Sequence, residues 1–229
     1  MLANNLANAS TGGYKMDREF FGLYVSQSAS EADELGLAGS PDQLPVIEKQ
    51  YTDYSQGTLH ATNNPLDFAL SGRGFFAVNG PTGPLFTRNG SFRLNATGVL
   101  VTSDGMPVRN KAGGTIQTRS EAPLDVDANG TVIQDGQSLG QFEVVTFDEP
   151  KQLNKQGLNY FHQVDPKMAP AASEAQIHQG TLEASNVGSA ESSVRLISVL
   201  RQFEMLSKAI NIGSDMDKQA LQDVARVSS

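Results

Sequence analysis

The sequence predicts an α+β protein, mainly β. An all-β central domain of short hairpins is carried on terminal helices, the C-terminal one a long coiled-coil helix. Three observations predict this. Short β-rich runs (LDFAL, GFFAV, PLFTR, SFRL, VLVT, FEVVTF) fill residues 64–148 and are punctuated by Asn-Gly and Asp-Gly pairs. Near the other end, Leu196, Val199, Phe203, Leu206 and Ile210 repeat at the three-four spacing of a helix packed lengthwise on another helix. At the start, Leu2 and Leu6 lie one helical turn apart before Ser10-Thr11-Gly12-Gly13 stops the segment, so the opening reads as the tail of a second helix. No other apolar stripe of similar length occurs in the sequence. The partner of the C-terminal seam is therefore expected outside the chain, and the reading is of an assembly subunit.

Taken in order, residues 1–15 form the helical remnant and its loop. Residues 16–63 form an irregular, partly extended connection, with FFGLYV as a short strand, an acidic Ser/Ala/Gly stretch, and VIEKQYTDYSQGTL extended again. Residues 64–164 form the β-rich outer domain. Phe75, Phe76, Phe86, Phe92, Phe142 and Phe147 are expected to supply its core. A weak repeat runs through it. LNATGVLVTSDG (94–105) and VDANGTVIQDG (126–136) share the order apolar, Asn or Asp, Ala, any residue, Gly, an apolar pair, then Asp-Gly, as two hairpins with like turns would. The Asn89-Gly90, Asp104-Gly105, Asn129-Gly130 and Asp135-Gly136 pairs are all expected to be turns. Residues 165–187, Pro/Ala-rich at first, read as a linker to a C-terminal helix over 188–229. That helix is expected to run on through Gly213, its weakest point, because glycine costs about 1 kcal/mol against alanine in a helix interior.

Composition excludes several classes. A net charge of −8 argues against binding nucleic acid. Residues 1–65 hold three Lys/Arg against eight Asp/Glu, read as a solvated acidic face. The chain has no cysteine, so packing and assembly supply its stability, and no apolar run approaches the length of a membrane span. The Asn-x-Ser/Thr sites at Asn8, Asn89, Asn95 and Asn129 read as turn chemistry. His60, His162 and His178 are scattered, and no metal, nucleophile-elbow or phosphate-loop motif occurs. Ser71-Gly72-Arg73-Gly74 lacks the third glycine of a dinucleotide loop and reads as a turn into a strand. The Asp-Gly turns lack calcium-loop spacing. Asp125 and Asp127 read as alternating strand charges rather than a catalytic pair. No catalytic, cofactor-binding or metal-binding residue is expected.

The segments NNLANASTGGYK, SQGTLHATNNPLDFALSGRGFFAV, PLFTRNGSFRLNATGVLVTSDGMPV, TFDEPKQLNKQGLNYF and LEASNV, ahead of RQFEMLSKAI, together resemble the axial proteins of the bacterial flagellar rod and hook. The resemblance covers nearly the whole chain in order. It is carried by Asn4, Asn5, Leu6, Ala7 and Asn8, by Gly74, Phe75 and Phe76, by Arg88, Asn89 and Gly90, and by Glu183, Ser185, Asn186 and Val187. It implies a structural subunit of the torque-transmitting rod, in which N- and C-terminal helices pair as a coiled coil, line a tube and carry the β-domain outside. Leu2, Leu6, Leu196, Val199, Phe203, Leu206 and Ile210 are then the expected assembly interface. The implied partners are copies of the chain, other rod and hook-family subunits and the flagellar export apparatus, with export lacking a cleaved signal. Neither nucleic acid nor membrane insertion is expected. The family's helical stretch ahead of NNLAN is expected to be missing. Where the distal-rod protein has a Gly-rich stretch, this chain has DQLPVIE (42–48), so the proximal-rod protein is the closer resemblance. An adhesive or carbohydrate-binding β-module is the alternative from another class, and it requires aromatic residues clustered on an open β-face.

Overall fold

The computed structural model describes residues 1–25, 43–120, 122–149, 153–165 and 170–227. A six-residue helix, α1 (Leu2–Ala7), leads into a long hairpin of β1 (Asp17–Val25) and β2 (Gln43–Thr52). Then follow β3 (Leu59–Ala61), β4 (Phe68–Ser71), β5 (Phe75–Gly80), β6 (Gly83–Thr87), β7 (Phe92–Leu94) and β8 (Leu100–Thr102). The second half of the body supplies β9 (Asp125–Val126), β10 (Thr131–Gln134), β11 (Gln137–Gln141), β12 (Val144–Thr146), β13 (Leu153–Gln156) and β14 (Tyr160–Gln163). Three short strands return along it, β15 (Ala171–Ala172), β16 (Gln176–Gln179) and β17 (Thr181–Glu183), before the 39-residue α2 (Ser189–Val227). The fold class is the expected one, α+β and mainly β.

A six-stranded antiparallel sheet, ordered β13-β14-β6-β5-β12-β15, divides the core in two. Side chains alternate across a strand, so the adjacent Phe75 and Phe76 enter opposite layers. Phe76 packs with Phe68, Phe92 and Phe142 above Leu100, Val108, Ile116, Val132 and Ile177. Phe75 packs with Phe86, Phe147 and Phe161 on the other face. All six phenylalanines expected in the core are buried. They contribute burial plus about 0.5–1.5 kcal/mol for each well-placed ring pair. An adhesive module would turn such rings outward.

The repeat is real in three dimensions. Asn95 Oδ1 accepts the Thr97 and Val99 amides, and Asp127 Oδ1 accepts those of Asn129 and Thr131. Each turn then closes through Gly98 or Gly130 at positive φ. Asn110 repeats the device, accepting the Ala112 and Gly114 amides ahead of Gly113, a third copy that the sequence pattern did not show. Asp135 and Gly136 both take positive φ, as a two-residue turn between β10 and β11 requires.

Three expectations need correction. Asn89-Gly90 is not a hairpin turn: β6 and β7 do not pair, and a Cβ on Gly90 would lie 1.8 Å from the Phe68 carbonyl oxygen. That glycine serves close backbone approach. FFGLYV is a strand, as expected, and forms the second part of nine-residue β1, paired along β2; the acidic stretch after it lies outside the described residues. Much of the region 16–63 is therefore paired rather than irregular. Residues 165–187 are not simply a linker, since β16 pairs with β4, β17 pairs with β3, and Ile177 is buried in the first core layer. Low apolar content hid these strands, each of which contributes one or two inward residues. The C-terminal helix is continuous through Gly213, as expected, and about 58 Å long at 1.5 Å per residue.

Candidate functional site

The motif segments that carry the resemblance converge where α1, the start of α2 and the body meet. NNLAN is a hydrogen-bonded knot. Asn5 Nδ2 donates to the Asp17 carbonyl, and Asn5 Oδ1 accepts from the Asp17 amide and the Tyr14 hydroxyl. Tyr14 also donates to Asn4 Oδ1, while Asn8 Nδ2 donates to the Asn4 carbonyl and Asn8 Oδ1 accepts from Thr11 Oγ1. Burial, with Asp17 adding, pushes the Tyr14 phenol up to about 12. Lys155 Nζ lies 3.9 Å from the Tyr14 ring centroid and donates to Asp17 Oδ2 and the Lys15 carbonyl. Gly13, at φ +67°, passes so close to the Arg88–Asn89 backbone that a Cβ would sit 2.3 Å from the Asn89 nitrogen.

Beneath the knot lies a buried charge cluster. Glu183 Oε1 accepts from Lys15 Nζ at 2.5 Å and from the Gly57 amide at 2.9 Å, and its Oε2 accepts from Arg88 Nη1 at 3.2 Å. Lys15 also donates to the Ser55 carbonyl, and Arg88 Nη2 to that of Gly72. Burial pulls both cations below their ordinary pKa values, opposed by Glu183. Removing one carboxylate would strand two buried cations, the expensive half of a buried ion pair. Asn186 completes the junction: its Oδ1 accepts the Met16 amide, and its Nδ2 donates to the Asp53 and Ser55 carbonyls. Ser185 Oγ accepts the Val187 amide, and Val187 is buried. Gly74 leaves room for Ser173, whose Oγ would be 2.5 Å from a Cβ there.

Most of the motif residues thus have a structural task, and Asn4, Asn5, Asn8, Arg88, Asn89, Glu183 and Asn186 lie around one junction. Ala7 is exposed and does no more than continue α1. Sequence reading missed the cluster as such. Lys15 and Glu183 stand 168 positions apart, and the available signal was a glutamate at an inward position of a strand otherwise built to be covered.

The seam residues behave differently. Leu2 and Leu6 on α1, which touches α2, are half-buried, and so is Leu196 on α2. Val199, Phe203, Leu206 and Ile210 run out into solvent, Phe203 and Ile210 each 69% exposed. The structure therefore sets α1 against the start of α2, where Leu2 and Val199 line one pocket, and leaves Phe203, Leu206 and Ile210 without cover among the described residues. Those residues hold no group of three or more His, Asp or Glu placed to bind a metal, and no helix long and apolar enough to cross a membrane.

Comparisons with known proteins agree with this geometry. Residues 69–134 match the family described as the flagellar hook protein FlgE/F/G D1 domain, and residues 178–223 match the flagellar basal body rod FlgEFG protein C-terminal family. The first match covers β4 to β10 and the second covers β16 through most of α2. The chain is 30% identical to the flagellar basal-body rod protein FlgF of Caulobacter vibrioides, over 100% of this chain and 92% of that one. It is 31% identical to the rod protein FlgG of Bacillus subtilis (94% and 89%) and 33% identical to FlgG of a Buchnera aphidicola strain (94% and 90%). The two kinds of relative match at similar identity, so proximal and distal membership are not separated. The chain belongs to the flagellar basal-body rod protein family: a structural subunit of the rod, located in the flagellar basal body, that assembles with other rod and hook-family subunits.

Proposed function

We propose that this subunit self-assembles through its helical end, copies of α2 covering one another's apolar faces while the β body stays outside the contact. The observation that carries the reading is the contrast at the junction: the motif side chains are bonded within one copy, whereas Val199, Phe203, Leu206 and Ile210 are exposed on a regular helix. Burying each such side chain is worth about 1.5–3 kcal/mol, so a row of them drives association. The body, including β16 and β17, is proposed to fold without α2. Its role is mechanical, transmitting torque through interlocked copies, with no catalytic step. Resemblance to the family supports passage through the flagellar export apparatus, and it supports a role independent of nucleic acid and membrane insertion.

Sedimentation of the full chain tests the assembly. Multimers are expected, and their loss in Phe203→Asp with Leu206→Asp, the body remaining folded. A clean monomer with α2 fully protected from hydrogen exchange overturns the reading. Within the family we propose the proximal rod, supported by DQLPVIE in place of a Gly-rich stretch. The chain should restore motility to a strain lacking its proximal-rod gene; rescue confined to a strain lacking the distal-rod gene reverses that assignment.

A further inference from the structure

The sequence holds three Asn-Gly pairs, 79–80, 89–90 and 129–130, and this dipeptide has a chemistry of its own. The glycine amide nitrogen attacks the asparagine side-chain carbonyl carbon, ammonia leaves, and a cyclic succinimide forms. Water then opens the ring at either carbonyl. One product is aspartate; the other is isoaspartate, in which the main chain runs through the side-chain methylene. Glycine favours the attack because no Cβ obstructs it and its backbone reaches angles closed to other residues. Water is the sole co-reactant, so the fold decides which pair reacts by how firmly it holds each one.

The three pairs are held differently. Asn89 is locked. Its Oδ1 accepts the Ser91 amide, its own amide donates to Thr87 Oγ1, and Gly90 is buried against the Phe68 carbonyl. Asn79 lies inside β5, opposite Pro84 of β6, and on its other side its amide donates to the Pro107 carbonyl. Freeing Gly80 would unzip the end of that ladder. Asn129 stands in an exposed turn between β9 and β10. Its backbone amide donates to Asp127 Oδ1 and its carbonyl accepts from Gln141 Nε2, yet its side-chain amide makes no hydrogen bond among the described residues. The nucleophile, the Gly130 amide, donates to the Asp127 carbonyl at 2.9 Å. That bond must open before the ring can close, and exposed turns open at the low end of the stability range.

We propose that Asn129 is the residue of the folded chain that converts, through a succinimide with Gly130, to aspartate and isoaspartate, and that the isoaspartate loosens β16. The backbone on both sides of the reacting bond carries body contacts. The Ala128 carbonyl accepts the Ile177 amide, and the Gly130 carbonyl accepts the Phe142 amide. A Cβ on Gly130 would lie 2.7 Å from Ile177 Cδ1, so there is little slack. An extra methylene between residues 129 and 130 moves these two carbonyls apart, and a close-packed interior does not absorb such a shift freely.

The test ages the full chain in mildly alkaline, ammonia-free buffer, with a sample in urea as reference. Peptide mapping by mass spectrometry reads the amide-to-acid change, and an isoaspartate-specific methyltransferase with a labelled methyl donor reads the isoaspartate. Each folded rate is compared with the rate of the same pair in urea, which removes the influence of flanking residues. Asn129 should keep a several-fold larger share of its urea rate than Asn79 or Asn89. Equal shares, conversion led by Asn79 or Asn89, or an inert Asn129 while the urea sample converts, overturns the assignment. Amide exchange at Ile177 should quicken in the aged chain and stay unchanged in an equally aged Asn129→Gln chain. Unaltered exchange in material carrying isoaspartate at residue 129 overturns the coupling to β16. Asn129→Asp supplies the charge without the methylene and should leave Ile177 protected; lost protection there overturns the backbone explanation.

Discussion

The body and the C-terminal helix solve the problem of apolar surface in opposite ways. In the body each phenylalanine of the two core layers is buried, and the junction cations meet a carboxylate. Along α2 from Val199 onward, large apolar side chains lie in solvent. One part buries its apolar side chains within a single copy, and the other leaves them exposed, which is the contrast the self-assembly proposal rests on. The comparison teaches that a long helix of regular geometry need not be stable for the reason a sheet is. An isolated helix draws little from propensity, and most helical stability in proteins comes from packing.

The sharpest way to break this contrast is to exchange charges between the two parts. Glu183→Ala leaves Lys15 and Arg88 buried without their shared carboxylate, and should cost the body about 3–5 kcal/mol. Phe203→Asp, on an exposed position, should change body stability by less than about 0.5 kcal/mol. Denaturant unfolding followed through tyrosine fluorescence compares the two. Equal losses would mean that α2 and the body unfold as one unit.

A second test concerns where the body ends. Ile177→Ala should cost about 2–5 kcal/mol, as a buried aliphatic truncation does, although Ile177 lies in a segment that composition marks as a connector. A fragment of residues 54–165 keeps β14 but lacks β16 and β17, while one of residues 54–187 keeps them. Dispersed amide NMR signals are expected from the longer fragment, and collapsed or poorly dispersed ones from the shorter. If both disperse equally, β16 and β17 are accessories.

How much of this was legible follows from how local each signal is. The phenylalanine alternation and the Asn/Asp-Gly turns are written within a few residues, so the core rings and both repeat hairpins could be read directly. The C-terminal helix was legible because its three-four spacing persists over four turns. Gly90 misled because Asn-Gly is a turn signal, and here glycine answers to the Phe68 carbonyl of a distant strand. The Lys15–Glu183–Arg88 cluster was illegible for a like reason: its members are charged, far apart in sequence, and gain meaning only when three segments meet. β16 and β17 sit opposite β4 and β3, and pairing partners leave no mark on composition.

A smaller effect separates the junction from the rest of the body. Tyr14→Phe removes hydroxyl bonds to Asn4 and Asn5 and should cost about 0.5–1.5 kcal/mol. It should also change the alkaline limb. The phenol pKa is raised from 10.0 to about 12 on folding. The folded state therefore holds its proton more tightly, and that contribution is complete below pH 10 and lost as pH rises toward 12. Tyr54, raised by burial to about 12, acts in the same direction. Lys15, lowered on folding, acts oppositely below its ordinary value of 10.5, so the tyrosine loss is best read above it. Stability measured across this range should fall less steeply in Tyr14→Phe. An unchanged slope would assign the alkaline loss elsewhere.

The gentlest test stays on the helix. Gly213 lies inside α2, and a Cβ there would meet nothing within 4 Å. Gly213→Ala therefore adds no contact and creates no clash, and acts through backbone entropy alone, worth about 0.8–1.0 kcal/mol of local helix stability. In the body such a change would be shared by a cooperative unit, whereas on an uncovered helix it should stay local. Amide exchange should slow by about fivefold near residue 213, as roughly 1 kcal/mol allows, while amides of the core strands β5 and β6 keep their rates. If the core strands slow as well, the helix and body are coupled more tightly than the exposed seam indicates. If exchange near residue 213 does not slow, glycine is not what limits the helix there.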